Sequence, residues 1–394
     1  MNKKDNDEPN RDKNEDRGFF KTVKDISTIG SSHLAAALIS AAFWLYMATI
    51  LQIDEYGRIG FLIAAATIAF TISHLGSQNT VIVYTAKEGK NQSSLYAISL
   101  ISGAITSFIV FLIFYNLGVS LFIIGSVIFT LATSDLLGRK FYKNFSKYIL
   151  TQRILLVSLA VILYFPLGGD GIILGFALSY FPYFLRVLKG FKHNKVSFGE
   201  LKMKSRFILH SYSEELSRSF MQNLDILIVM PLFGFAVLGN YQLGIQFLLV
   251  LRILPQTVYQ FLLPKYSTGY SNPKIKIGTI ISSVALAILG FILAPLIVPV
   301  FFPQFTQTAE IIQIISFAII PISINLMLNS EFLGRNYSKL VLWGAVVYVT
   351  VQIVCIIILG EIFGINGVAA SLVLGATSQT IFLVLAGKFA TKNT

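Results

Sequence analysis

Charge is what this sequence has least of. Only 13% of its 394 residues are Asp, Glu, Lys or Arg, where a water-soluble domain carries roughly 25%, and mean hydropathy is +0.71. Folding in water is excluded. There is one cysteine, Cys355, set in an apolar run, so neither a disulfide framework nor a cysteine-ligated metal is available, and Cys355 reads as packing. The four histidines, His33, His74, His193 and His210, show no H-x-x-x-H or H-E-x-x-H spacing, which leaves no histidine metal motif. The first 18 residues lack the apolar stretch and small-residue cleavage site of a signal peptide.

Long apolar runs are what the chain does have. Twelve are expected, at approximately 28–51, 59–84, 93–115, 118–135, 149–166, 170–187, 208–233, 237–262, 276–302, 309–330, 338–360 and 364–386. Each reaches about 20 residues, enough to cross roughly 30 Å of hydrocarbon as a helix. In lipid the backbone must satisfy its own hydrogen bonds, so helices are expected and not strands. The net charge of +12 would suggest nucleic acid in a soluble protein, but here its distribution reports topology. Seven Lys and Arg lie between Met1 and Lys24, and further basic residues, Lys143 and Lys195 among them, crowd the alternate connections; the opposite connections hold Arg58 alone. The positive-inside rule then places both termini in the cytoplasm, as an even number of spans requires.

The chain also repeats. Ser134 to Arg139 reads SDLLGR and Ser330 to Arg335 reads SEFLGR, a shift of 196 residues that also carries Gly168 and Asp170-Gly171 onto Gly364 and Asn366-Gly367. Six spans separate the copies, an even number, so the halves share one orientation and should be related by an axis along the membrane normal. The expected fold is therefore all-α integral membrane, with twelve transmembrane helices in two six-helix lobes related by a pseudo-twofold. The expected divisions are a disordered cytoplasmic tail at 1–24, an N-lobe at 25–187, a basic linker at 188–207, a C-lobe at 208–387 and a short tail at 388–394. The linker's lysines suit anionic lipid head groups.

Ionisable side chains at membrane depth cost a few kcal/mol on insertion scales and normally face a bundle interior or wet cavity. Ser211, Glu214 or Glu215, Arg218, Gln222 and Asp225 recur along the seventh span at steps of three and four, hence on one face. The eighth span repeats the pattern with Gln242, Gln246, Arg252, Gln256 and Gln260, and Pro255 is expected to kink it beside Arg252. In the N-lobe the stripe is thinner: Ser32 or His33 with Ser40, then Thr67, Thr71, His74 and Gln78. These residues predict a hydrated cavity between the lobes. Arg218 and Arg252 are its candidate anion-binding charges, because guanidinium grips phosphate oxygens bidentately. Gln222, Gln256, His33 and His74 are further candidates for substrate contact, and Asp225 for a coupling cation or proton. Each has a plainer alternative: Arg218 can pair with Glu214 or Asp225, and the two histidines can serve as interhelical hydrogen-bond partners.

Asp54-Glu55-Tyr56-Gly57 after the first span, Leu224-Asp225 followed by Gly239-Asn240-Tyr241, Leu263-Pro264-Lys265 closing the eighth, Phe332-Leu333-Gly334-Arg335, and Phe363-Gly364-Ile365-Asn366-Gly367-Val368-Ala369-Ala370 occur in that order. With them the chain resembles the polysaccharide and O-antigen flippase family of the multidrug/oligosaccharidyl-lipid/polysaccharide exporter superfamily. The resemblance implies alternating-access movement of a polyprenyl-linked oligosaccharide across the cell membrane, sugar and pyrophosphate passing the polar cavity while the tail stays in lipid. Membrane lipids and a coupling cation or proton are the other implied partners, with no cofactor and no nucleic acid. The first span carries only His33 where an arginine would suit that cargo. Two other functions compete. A cation-coupled multidrug exporter would show unpaired carboxylates in its cavity, and a membrane glycan polymerase or ligase would need a sizeable outer loop, whereas the outer connections reach only about seven residues.

Overall fold

The computed structural model describes residues 8–86, 92–191, 205–266, 273–334 and 337–390. Among the described residues ten helices are long and apolar enough to cross a membrane, eleven when the bent pair Thr308–Ser316 and Ile319–Leu333 is taken as one span. The stretch Ile208–Leu251 counts there as one helix of 44 residues, but it doubles back at Gly234, whose φ of 82° and ψ of 176° are not helical. The Tyr241 hydroxyl donates to Asp225 Oδ2 at 2.8 Å. Sixteen residues of straight helix would hold those groups about 24 Å apart, so the chain must reverse between them. That restores the twelve spans.

In chain order the first half comprises α1 (Glu8–Ile50), α2 (Ile53–His74), α3 (Ser77–Ala86), α4 (Gln92–Phe114), α5 (Leu117–Gly138), α6 (Tyr142–Leu167), α7 (Gly169–Leu178), a 3-10 turn (Phe181–Tyr183) and α8 (Phe184–Phe191). The second half comprises α9 (Ser205–Leu251), α10 (Ile253–Tyr266), α11 (Pro273–Phe301), α12 (Thr308–Ser316), α13 (Ile319–Gly334), α14 (Ser338–Phe363) and α15 (Ile365–Ala390). Helix α1 starts at Glu8, inside the 1–24 tail expected to be disordered. Pro9 falls in the first turn, where its missing N–H has no intrahelical use, and a helix nucleated in the first span propagates at one hydrogen bond per residue. Most of the expected basic linker, residues 192–204, lies outside the described residues.

Three spans break, each beside a proline. Pro182, Pro255 and Pro321 have no N–H to offer the carbonyls of Leu178, Leu251 and Phe317 four residues earlier, and the helices stop at Leu178, Leu251 and Ser316. The second span breaks otherwise, through left-handed Leu75 and Gly76, at φ 53° and 67°.

The repeat is structural. Gly168 (φ 60°, ψ −146°) and Gly364 (φ 61°, ψ −137°) occupy the same region of backbone space, open in practice only to glycine. A Cβ built on Gly171 would stand 2.0 Å from the Leu163 carbonyl oxygen, and one on Gly367 would stand 1.8 Å from that of Leu359. Those partners are themselves one repeat apart. Two apolar cores form: one centred on Met47, Tyr56, Ile123 and Ile172 of the first half that also takes in Leu243, Val298 and Phe305 of the second, and one centred on Val229, Tyr241, Ile315 and Val368 within the second half.

One seam between the lobes is closed along its length. At the end where the first span passes into the second, a Cβ on Gly57 would lie 2.2 Å from the Phe235 carbonyl oxygen, and one on Gly239 would lie 2.2 Å from that of Ile53. The backbones touch there because no side chain intervenes. Gln304 Nε2 donates across to Ala48 O at 3.1 Å and to Leu51 O. At the far end of the same seam Thr71 Oγ1 donates to Ser219 Oγ at 3.0 Å, and the Asn79 N–H donates to Glu215 Oε1 at 3.4 Å.

Candidate functional site

With α2 pressed against α9, open space is left on the other side of the second half, where α1 faces the eighth span. A cavity of about 770 Å³ lies there, within the size range of ligand sites. Helix α1 gives it His33, Leu34, Ala37, Ser40 and Ala41; α9 gives Arg218, Gln222, Asn223, Asp225 and Gln246; Arg252 stands at the break before α10, which adds Gln256 and Thr257. Asn325 and Asn329 of α13, Tyr348 of α14 and Gln379 of α15 complete the polar lining. The two walls differ in chemistry. The C-lobe carries both guanidiniums, the carboxylate and every amide, while the N-lobe wall offers His33 and Ser40 among alanine and leucine.

Six of the seven residues singled out in the sequence, His33, Arg218, Gln222, Asp225, Arg252 and Gln256, therefore meet around one volume. His74 does not. It is 2% exposed and lies in the closed seam, Nε2 3.1 Å from Glu215 Oε2, because its face of α2 is turned toward α9 and not toward α1. Thr71 goes with it, and the thin second-span stripe becomes a lobe-to-lobe contact instead of a cavity wall. Gln242 likewise leaves the stripe, packing its amide against Gly60. The Gln260 side chain lies outside the described residues.

The acidic residues of the seventh span divide among three partners. Glu214 takes Arg218, Oε1 to Nη2 at 3.0 Å, both side chains more than half exposed. Glu215 takes the seam. Asp225 accepts from the Tyr241 hydroxyl at 2.8 Å and from the Ile226 N–H at 2.9 Å, so it is held by uncharged donors and not by Arg218. Arg252 has no ion pair among the described residues. Its position follows from Pro255: with the Leu251 carbonyl deprived of a donor, the helix opens at residue 252, and the Arg252 N–H still reaches Leu248 O at 2.9 Å. Among the described residues no group of three or more His, Cys, Asp or Glu could hold a metal.

Sequence reasoning missed the far wall of the cavity. Asn325, Asn329, Tyr348 and Gln379 belong to three strongly apolar spans, one or two to a span, so no long stripe announces them. The one available signal was Asn325 with Asn329, two amides one helical turn apart at membrane depth.

Twelve apolar helical spans, an internal repeat and a polar cavity between six-helix lobes define a multi-pass membrane fold of two lobes. Solved structures share it. "Lipid II flippase MurJ, inward closed conformation" superposes with a TM-score of 0.76 at 15% identity, over 91% of this chain and 87% of that one. An inward-facing multidrug resistance MATE family transporter of the MOP superfamily gives 0.73 at 13% identity, covering 91% and 95%. An outward-facing one gives 0.61 at 13%, covering 94% and 97%. At these identities the likeness is one of fold. No protein-family model matches the chain, and no curated protein matches its sequence.

Proposed function

We propose that the chain is a flippase that moves a polyprenyl-linked oligosaccharide across the cell membrane by alternating access of its lobes, with both termini in the cytoplasm. The observation that carries this reading is Arg252, a cation lining the cavity with no ion pair among the described residues. An unpaired guanidinium at membrane depth is costly and suits an anion whose oxygens it can grip in pairs. The pyrophosphate bridging lipid and sugar is such an anion. Arg218, already leaning on exposed Glu214, is a second contact that a phosphate can recruit by exchanging one exposed ion pair for another. Gln222, Gln256 and His33 surround the same volume and suit the sugar. The apolar face of α1 suits the first isoprene units where they leave the cavity for lipid. Asp225, fixed by Tyr241 at the cavity edge, is the candidate seat of a coupling cation or proton.

The test is transport in cells by Arg252 variants. Arg252→Ala is expected to abolish flipping at normal membrane abundance, with lipid-linked sugar accumulating on the cytoplasmic leaflet. Arg252→Lys is expected to be partly active, because a point charge lacks the bidentate fork. Full activity of Arg252→Ala would remove it from the mechanism.

Export of organic cations is the second reading, favoured by Asp225 in the cavity wall. A cation would have to bind beside Arg252 as well, and that repulsion ranks this reading below the first.

A further inference from the structure

Asn325, 4% exposed, has its amide orientation set by its neighbours. The Ala376 carbonyl oxygen can only accept, so the group 2.9 Å from it must be Asn325 Nδ2. Asn325 Oδ1 is then the atom that accepts from Thr380 Oγ1 at 2.8 Å. The remaining Nδ2 hydrogen goes to Gln379 Oε1 at 3.1 Å. The chain of constraints ends at Gln379, whose oxygen takes that hydrogen and whose Nε2 has no partner among the described residues. One turn along α13 from Asn325, the Asn329 Oδ1 atom is buried and accepts from no donor among the described residues. Both side chains line the cavity. The wall opposite α1 thus holds, among the described residues, a cavity-facing amide donor and a buried acceptor without a protein partner, and the unmet buried acceptor costs free energy unless a ligand or water completes it.

We infer that Asn329 and Gln379 form a recognition site for an uncharged group that both donates and accepts a hydrogen bond, a sugar hydroxyl or acetamido group, with Asn325 as the positioning residue that aims Gln379. Phosphate oxygens suit it poorly, because an ionised diphosphate accepts but does not donate and leaves the Asn329 oxygen unmet. An organic cation without an acceptor atom cannot fill it, because it leaves the Gln379 N–H unmet. The site is chemically separate from the Arg252 charge on the same cavity. This inference rests on the flippase reading and names which residues tell one glycan head from another.

The experiment is equilibrium binding to the purified full chain in lipid nanodiscs. One probe is a polyprenyl diphosphate and the other is the same lipid bearing a single hexose or N-acetylhexosamine. Wild-type protein should bind the sugar-bearing lipid more tightly than the bare one. Asn329→Leu should lose about tenfold of that preference, one unmade hydrogen bond to a buried group, and bind the bare diphosphate unchanged. Because the Asn329 oxygen has no partner among the described residues, the same variant should be at least as heat-stable as wild type, which separates a ligand contact from a structural one. Asn325→Leu should lose the preference through Gln379 and should also lose stability. A wild-type preference for the sugar-bearing lipid that survives intact in Asn329→Leu would overturn the inference, leaving bound water as the site's occupant, while the flippase reading stands. Failure of the wild type to bind either lipid would overturn the flippase reading itself, and this site with it.

Discussion

At the residue scale the account turns on which charges are spoken for. Arg218 and Asp225, seven residues apart on one face of the seventh span, could have neutralised each other; they do not, Arg218 taking Glu214 and Asp225 taking the Tyr241 hydroxyl. A double-mutant cycle should therefore find no rescue. Arg218→Gln and Asp225→Asn should each leave membrane abundance near wild type, and the double variant should be as inactive in transport as the worse single one. Recovery of transport in the double variant would show the pair to be structural after all. Tyr241→Phe should be the more damaging change to the fold, by about 1–3 kcal/mol, because it strips a half-buried carboxylate of the donor that a fully buried tyrosine supplies. Thermal unfolding of the purified protein reads that loss directly.

At the element scale, repeat positions should fail alike. Gly168 and Gly364 hold the same backbone conformation one repeat apart, and forcing a side chain onto it costs of order 1–3 kcal/mol. Gly168→Ala and Gly364→Ala should thus lower stability by similar amounts, and a large loss at one with none at the other would contradict their equivalence. This much was legible in the sequence: the 196-residue shift pairs these glycines, and the span positions fall where the apolar runs put them. The kink at Arg252 was legible too, through Pro255. The breaks at Leu178 and Ser316 have the same cause, Pro182 and Pro321, but no polar stripe drew notice to them. The pairing of His74 with Glu215 was hidden for a different reason. Helical spacing says which residues share a face, but not which neighbour that face meets, and α2 turned to α9 instead of the cavity. The amide wall was hidden because Asn325, Asn329, Tyr348 and Gln379 converge only when three separate helices pack.

At the scale of the whole molecule, the closed seam between α2 and α9 and the open cavity beside α1 describe one arrangement of two lobes. Alternating access requires another. The topology that gives these arrangements a direction rests on the basic connections, and it is testable with Cys355 replaced by serine. Cysteines introduced at Lys143 or Lys195 should be shielded from an impermeant thiol reagent in intact cells, and one at Gly234, exposed at the reversal of α9, should be labelled; the opposite pattern would invert the molecule. The central claim, that the cavity carries a glycolipid head group and not a drug, is tested most directly in proteoliposomes holding the purified protein. Wild-type protein should bring a polyprenyl-diphosphate-linked oligosaccharide within reach of an external glycosidase, Arg252→Ala should not, and neither should expel an organic cation. Cation efflux by the wild type, with the glycolipid left where it started, would contradict the account.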